Sequence, residues 1–372
     1  MELRSVAAVA LIFLATRANA GPQAVQPSLV YDGASFDDIA GGVRRGSTYL
    51  GTLRLQLTFD GSQRQRVSGT SAFVAVLNKH GGSPSDFAGD AQGVSSLAAP
   101  NQWRVEEAWV QQNFFNAQLS ALIGRYDLNT EFYRLQSAGL FLNSSFGVGP
   151  EFSQSGRSGP SIYPNTSSAI RIGYRPAKSL VLRAAAFNGL MLGEVAYLFR
   201  PSGREPPRDI RFRLGRLAGL PPYKAKVSLG AWHYTNSGRS SGIYILGDRT
   251  IYENGARRLA AFGQLGIGDA RAQRFARYIG TGIVIAAPFK GRDQDEIGLA
   301  VAAVRNSGQY NIQQSEIGAP MLRGETTVEC TYLTPLTPHI AVQPDLQYVV
   351  HPSADRSRKN ALVMMIHFEI SR

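Results

Sequence analysis

Cysteine is all but absent: the 372 residues hold one, Cys330. That excludes an internal disulfide and a metal site built on clustered cysteines. Within Thr327-Val328-Glu329-Cys330-Thr331-Tyr332 the thiol shares a face with Val328 and Tyr332, which predicts an inert, outward-facing apolar position. Long apolar runs are as scarce. Beyond residue 20 none approaches the roughly 20 residues of a spanning helix, and mean hydropathy is −0.13, so a helical membrane protein is excluded. Catalytic patterns are missing too. The five histidines, His80, His233, His339, His351 and His367, show no ligand spacing, and no nucleophile elbow or phosphate-binding loop occurs. The glycines of Gly263-Gln264-Leu265-Gly266-Ile267-Gly268 precede no helix. Asp293-Gln294-Asp295-Glu296 opens like a calcium loop that the following residues do not complete. No enzymatic activity, metal or cofactor is expected.

The start of the chain carries Glu2 and Arg4, an apolar stretch from Val6 to Ala15, and the small-residue ending Ala18-Asn19-Ala20. This pattern predicts a secretory signal peptide over residues 1–20, cleaved after Ala20. Residue 21 is Gly, so no lipid-modified cysteine follows. The formal charge of +12 falls to +11 once Glu2, Arg4 and Arg17 are removed. The arginines are scattered, with no recognition helix, zinc finger or RNA-binding signature to organise them, so nucleic acid is not an expected partner. A basic interior and basic loops are expected instead.

What the sequence does have is alternation of period two. In Pro338 to Val350, Ile340, Val342, Leu346, Tyr348 and Val350 fall on one face, and Ala341, Gln343, Asp345 and Gln347 on the other. After a polar turn the pattern resumes, with Leu362, Met364, Ile366, Phe368 and Ile370 against Val363, Met365, His367 and Glu369. Near the other end, Leu53, Leu55, Leu57 and Phe59 alternate with Thr52, Arg54, Gln56 and Thr58 before the turn Asp60-Gly61. Further strands are expected over 68–77, 103–115, 118–126, 168–175, 179–188, 225–235, 258–268, 278–287, 296–304 and 325–333. Strands of about ten residues with one greasy and one wet face predict an all-β transmembrane antiparallel barrel. Residues 47–372 are assigned to that barrel and 21–46 to a periplasmic or plug-like segment. Gly/Pro/Ser-rich stretches at 149–167 and 200–222 are expected to be extracellular or inward-folding loops. Patterning alone does not separate fourteen strands from eighteen.

Five blocks in order carry a family resemblance. They are Gly82-Ser83-Pro84-Ser85-Asp86-Phe87-Ala88-Gly89-Asp90-Ala91-Gln92-Gly93-Val94-Ser95, Glu106-Glu107-Ala108-Trp109-Val110-Gln111-Gln112, and Leu122-Ile123-Gly124-Arg125-Tyr126-Asp127. Phe141-Leu142-Asn143-Ser144-Ser145-Phe146-Gly147 follows, then Val342 to Pro352 with Asn360-Ala361-Leu362-Val363. The chain resembles the OprB family of carbohydrate-selective outer-membrane porins. The resemblance implies sixteen strands, or about 22 residues per strand and connection. It also implies small sugars, glucose-like monosaccharides first, as the solutes, outer-membrane lipid as surroundings and the barrel-assembly machinery as a partner. A homotrimer stays open. The ending Phe368-Glu369-Ile370-Ser371-Arg372 places an aromatic residue at a non-terminal position instead of last. An anion-preferring general porin and a secreted soluble carbohydrate-binding β protein remain as alternatives.

Parity nominates the channel-lining and sugar-contacting side chains, because an arginine facing lipid at mid-bilayer costs roughly 2–4 kcal/mol. Arg54, Arg171, Arg183, Glu329, Gln343 and Asp345 each stand between apolar neighbours and are expected to point inward. Arginine offers five rigid donors, carboxylates offer acceptors, and together they suit the hydroxyls of a sugar. The resemblance adds Glu107 with Trp109 and Arg125 with Asp127. Glu107, Trp109 and Gln111 share one face while Arg104, Glu106 and Gln112 share the other; the first set is taken as inward.

Overall fold

The computed structural model describes residues 25–61, 68–200, 223–235, 240–319 and 321–372. Sixteen antiparallel strands close into a barrel in chain order, with β1 (Val25–Gly42) paired to both β2 (Gly46–Asp60) and β16 (Lys359–Ser371). Between them run β3 (Thr70–Gly81), β4 (Gln102–Phe114), β5 (Leu119–Tyr126), β6 (Ser167–Ala177), β7 (Leu180–Phe187), β8 (Leu190–Phe199) and β9 (Ala225–Tyr234). The wall is completed by β10 (Ser241–Asn254), β11 (Arg257–Gly268), β12 (Phe275–Ala286), β13 (Glu296–Asn306), β14 (Gly324–Thr337) and β15 (Ile340–Val350). Closure leaves no unpaired strand edge. Leu29 and Arg372 exchange backbone hydrogen bonds of 2.9 Å, so the first and last strands lock together at one end, the termini end. The opposite end is the far rim.

Alternation sets what each side of the wall sees. In β15, Ala341, Gln343, Asp345, Gln347 and Val349 are buried, and Leu346 and Tyr348 are exposed. Around the barrel Ile123, Ile170, Leu229, Ile245, Ile279, Leu299 and Ile366 project outward, each more than two-fifths exposed. An apolar band of this extent belongs in hydrocarbon, which sets aside the soluble alternative. Cys330 lies exposed on it.

Three strands carry no readable alternation, for two reasons. β8 and β10 are apolar on both faces apart from the inward Glu194 and Asp248. Leu190, Leu192, Tyr244 and Leu246 point into a hydrophobic interior while Met191, Val195, Ile243 and Ile245 point out. β1 fails the other way, since its outer face carries Gly33, Ser35 and Asp37 where apolar residues are expected. The assignment of 21–46 to a periplasmic or plug-like segment is therefore corrected: residues 25–42 form a wall strand. The signal peptide and most of the 200–222 stretch lie outside the described residues.

The filling of the barrel comes from two loops of the far rim, 82–101 and 127–166. Leu128, Phe132, Tyr133, Phe141, Phe146 and Phe152 of the longer loop pack on Leu192, Trp232, Tyr244, Phe262 and Tyr278 of β8–β12. Val94 and Leu97 of the shorter loop join Leu142 against Phe36, Leu50, Val349 and Val363. The interior is thus a packed core over much of its section, and the open space lies where these loops do not reach.

The outward position of Cys330 has a direct check. A nitroxide attached to it in vesicle-reconstituted protein should be relaxed strongly by oxygen and weakly by a water-soluble nickel complex. The reverse order would place the residue in the lumen and overturn the register of β14.

Candidate functional site

Strict alternation would let only one of Glu106 and Glu107 face inward. The wall breaks it with a bulge: Ala75 pairs with Glu107 and Val76 with Val105, leaving Glu106 as the extra residue. Such insertions re-aim a side chain locally. Both glutamates are consequently buried on the inside, and Trp109 follows Glu107 inward with its indole nitrogen 3.1 Å from Glu107 Oε2. Arg104 and Glu106 before the bulge and Glu107 and Trp109 after it are thus all inward, while Gln112 falls on the outer face with Val110.

Glu106 receives Arg54. The guanidinium gives Nε at 2.7 Å to Oε2 and Nη2 at 3.2 Å to Oε1, a two-pronged pair. On its other side Arg54 Nη1 stands 3.8 Å from Asp32, whose second oxygen is 3.3 Å from His367 Nε2. The Tyr163 ring, brought in by the long loop, lies 5.9 Å from the guanidinium carbon. Asp32, Arg54, Glu106, Glu107 and Asp127 line one end of an open cavity of about 900 Å³ that reaches Arg258 and Arg372 at the termini end. Donors and acceptors here share one wall, on strands β1, β2 and β4, opposite the loop.

Four other inward carboxylates meet loop backbone. Glu329 accepts from the Leu142 and Asn143 amides at 2.6 and 3.0 Å, and Glu325 from those of Ala91 and Gln92 at 2.8 and 3.0 Å. Glu194 takes the Tyr133 amide and Asp248 that of Ser137, at 2.9 and 3.0 Å. Loop carbonyls find wall donors: Gln343 binds Leu140 O, Gln347 binds Val94 O, and Lys226 binds Arg134 O, at 2.7–2.8 Å. Irregular loop backbone inside a barrel must have such partners. The demand reverses the expected basic interior: the described residues bury fourteen carboxylates against Arg54, Lys79, Arg134, Arg171, Arg183 and Lys226. Positive charge sits instead on rims and outer surface.

The nominated residues divide accordingly. Arg54, Glu107 and Asp127 border the cavity. Glu329 and Gln343 hold the loops, and Asp345 accepts from the Gln347 amide at 2.9 Å. Arg171 and Arg183 point inward and flank Glu131, at 2.7 and 3.9 Å, with Glu194 3.7 Å beyond Arg183. Asp127 caps the turn Leu128–Thr130 by accepting from the Asn129 amide at 2.8 Å. Arg125 is a correction: it shares the outer face with Ile123, while Leu122 and Tyr126 on either side of them are buried. Its guanidinium bonds the Thr166 carbonyl at the rim. Asp32, Glu106 and His367 were not nominated. Asp32 lies on the unforeseen strand, and Glu106 was hidden by the bulge.

One loop acid is protonated well above its usual range. Burial pushes Glu151 from 4.5 to about 8, against the opposing hydrogen bond from the Tyr133 hydroxyl at 2.9 Å.

A closed sixteen-stranded barrel with an apolar outer wall and loops folded into its bore is the architecture of an outer-membrane channel of the porin class. The family model "Carbohydrate-selective porin, OprB family" matches residues 44–194 and 211–371, and the chain belongs to that family. Porin B of Pseudomonas aeruginosa is 22% identical, over 72% of this chain and 68% of that protein. The high-pH structure of Pseudomonas putida OprB superposes with a TM-score of 0.80 at 18% identity, covering 94% of each chain. Its low-pH structure gives 0.62 over 94% of this chain and 93% of that one. An anion-selective porin from Comamonas acidovorans gives 0.53 at 12% identity, over 94% and 99%. These likenesses establish a shared barrel fold.

Two outcomes follow from the anchoring. Glu329→Ala strands two buried amides at about 1–3 kcal/mol each, so single-channel recordings should show larger or noisier conductance than wild type; an unchanged trace would mean the loop is held elsewhere. For Glu151 the folded chain keeps its proton between about 4.5 and about 8. The stabilisation is therefore complete below 4.5 and lost as pH rises through about 8. Amide exchange in the 127–166 loop, corrected for intrinsic rates, should accelerate in wild type as pH rises from about 4.5 to about 8, level off above that, and stay flat throughout in Glu151→Gln.

Proposed function

We propose that this porin passes neutral monosaccharides of glucose-like size by passive diffusion, selecting them at the wall formed by Asp32, Arg54, Glu106 and Glu107. One observation carries the reading: the paired guanidinium and carboxylates border the cavity that the loops leave open. Hydroxyls that leave water need donors and acceptors together. The Arg54–Glu106 pair supplies both, so a neutral polyhydroxylated solute exchanges bonds there, and Asp32 and Glu107 beside the pair add acceptors that disfavour an anion. Tyr163 offers an aromatic face for the apolar side of a pyranose ring. The channel is thus arginine-centred and mixed in charge. Export by the 1–20 segment and insertion by the barrel-assembly machinery belong to the same reading.

The anion-preferring alternative rests on the +11 formal charge left without residues 1–20. Fourteen buried carboxylates weigh against it. Liposome swelling with detergent-folded protein separates the two. Glucose should enter well ahead of a disaccharide and of a charged solute of glucose size, and Arg54→Ala or Glu106→Ala should shift glucose entry relative to a small neutral solute several-fold. Equal permeation by all small solutes, or a marked anion preference in the reversal potential, would reject sugar selectivity.

A further inference from the structure

The far rim carries a second constellation, on the outside of the wall. Arg277 of β12 and Arg305 of β13 are direct cross-strand partners, and both are exposed on the face that carries Ile279 and Leu299. Arg305 in turn pairs with Gly324 of β14, next to Arg323. Arg356 and His351, from the turn between β15 and β16, close over the same place. Together they line an outer-wall groove of about 930 Å³ whose floor is Leu265, Ile267, Ile279, Ala303 and Met321.

No acidic residue lines this groove. Among the described residues none of the four arginines enters an ion pair, and the nearby Asp355 is committed to Arg358 at 3.1 Å and to Ser357. Like charges directly opposite on neighbouring strands repel, and arginine on a lipid-facing wall is tolerated only near the interface. The arrangement becomes favourable if an anion bridges the guanidinium forks, for which phosphate geometry is suited. A soluble anion would make no use of the apolar floor. Leu265, Ile267 and Ile279, about half exposed, continue the hydrocarbon-facing band directly beneath the charges.

We propose that this groove is a binding site for a membrane lipid with a phosphate-bearing headgroup, the phosphate held by Arg277, Arg305, Arg323 and Arg356 and the acyl chains lying on Leu265, Ile267 and Ile279. The site faces away from the lumen and is independent of the sugar path.

Native mass spectrometry of the detergent-folded protein tests it with three probes: a dimyristoyl phosphatidic acid, the matching diacylglycerol and inorganic phosphate. Wild type should retain phosphatidic acid through detergent release, with Arg277→Gln/Arg305→Gln lowering retention by about tenfold or more. Diacylglycerol should not be retained, and inorganic phosphate at equal concentration should not displace the lipid. Equal retention by the double variant, or equal retention of diacylglycerol, would overturn the site, and displacement by inorganic phosphate would show a free-anion site instead. Unchanged channel conductance of the double variant establishes that it is folded.

Discussion

Wall carboxylates accepting hydrogen bonds from loop amides are the contact on which the rest of this molecule depends. A barrel of sixteen strands encloses more space than side chains fill, and here loops 82–101 and 127–166 occupy it. Their backbones bring polar groups into a region where water is scarce. Glu325, Glu329, Glu194 and Asp248 receive those amides at four points around the wall. Glutamine and lysine side chains take the carbonyls. Without these partners each buried amide would cost about 1–3 kcal/mol, and an inserted loop would be less stable than an extended one.

The same contact explains where charge goes. A carboxylate engaged by two amides is stabilised without a cation beside it, so the interior accumulates acids although the chain is strongly basic. Cations enter the bore beside carboxylate oxygens that loop amides leave free. Arg171 and Arg183 flank Glu131, and Lys226 and Arg183 flank Glu194. Arg54 sits with Glu106 and Asp32 where such a pair also borders open space.

How much of this could be read from the sequence depended on what each strand faces. β15 faces lipid on one side and polar loop anchors on the other, so Gln343, Asp345 and Gln347 alternate visibly with Leu346 and Tyr348. β8 and β10 face lipid and a hydrophobic core, and Leu192 beside Met191 carries no contrast. β1 has small and acidic residues outward near the rim, which erased its pattern. The bulge in β4 is a long-range property of its pairing with β3, and no local pattern in Glu106-Glu107-Ala108-Trp109 announces it. Inward arginines were therefore identifiable by parity, whereas the partners that decide whether they hold a loop or border the channel came only with the fold.

The position of the channel follows from the asymmetry of the packing. Phe141, Phe146 and Phe152 draw the long loop against β8–β12, where Trp232, Tyr244 and Phe262 offer a matching surface. Val94 and Leu97 fill the sector of β1, β2 and β16 nearer the far rim. The bore left between them borders β1, β2 and β4, whose inner faces at that level are polar. A narrow passage lined by a salt bridge would be closed if the pair spanned it. Here Arg54 and Glu106 lie on neighbouring parts of one wall, with β3 between their strands, and the bulge is what brings Glu106 to that side. The pair can therefore remain intact while its free edges face the open cavity, so the placement of the pair rests on one inserted residue as much as on the arginine itself.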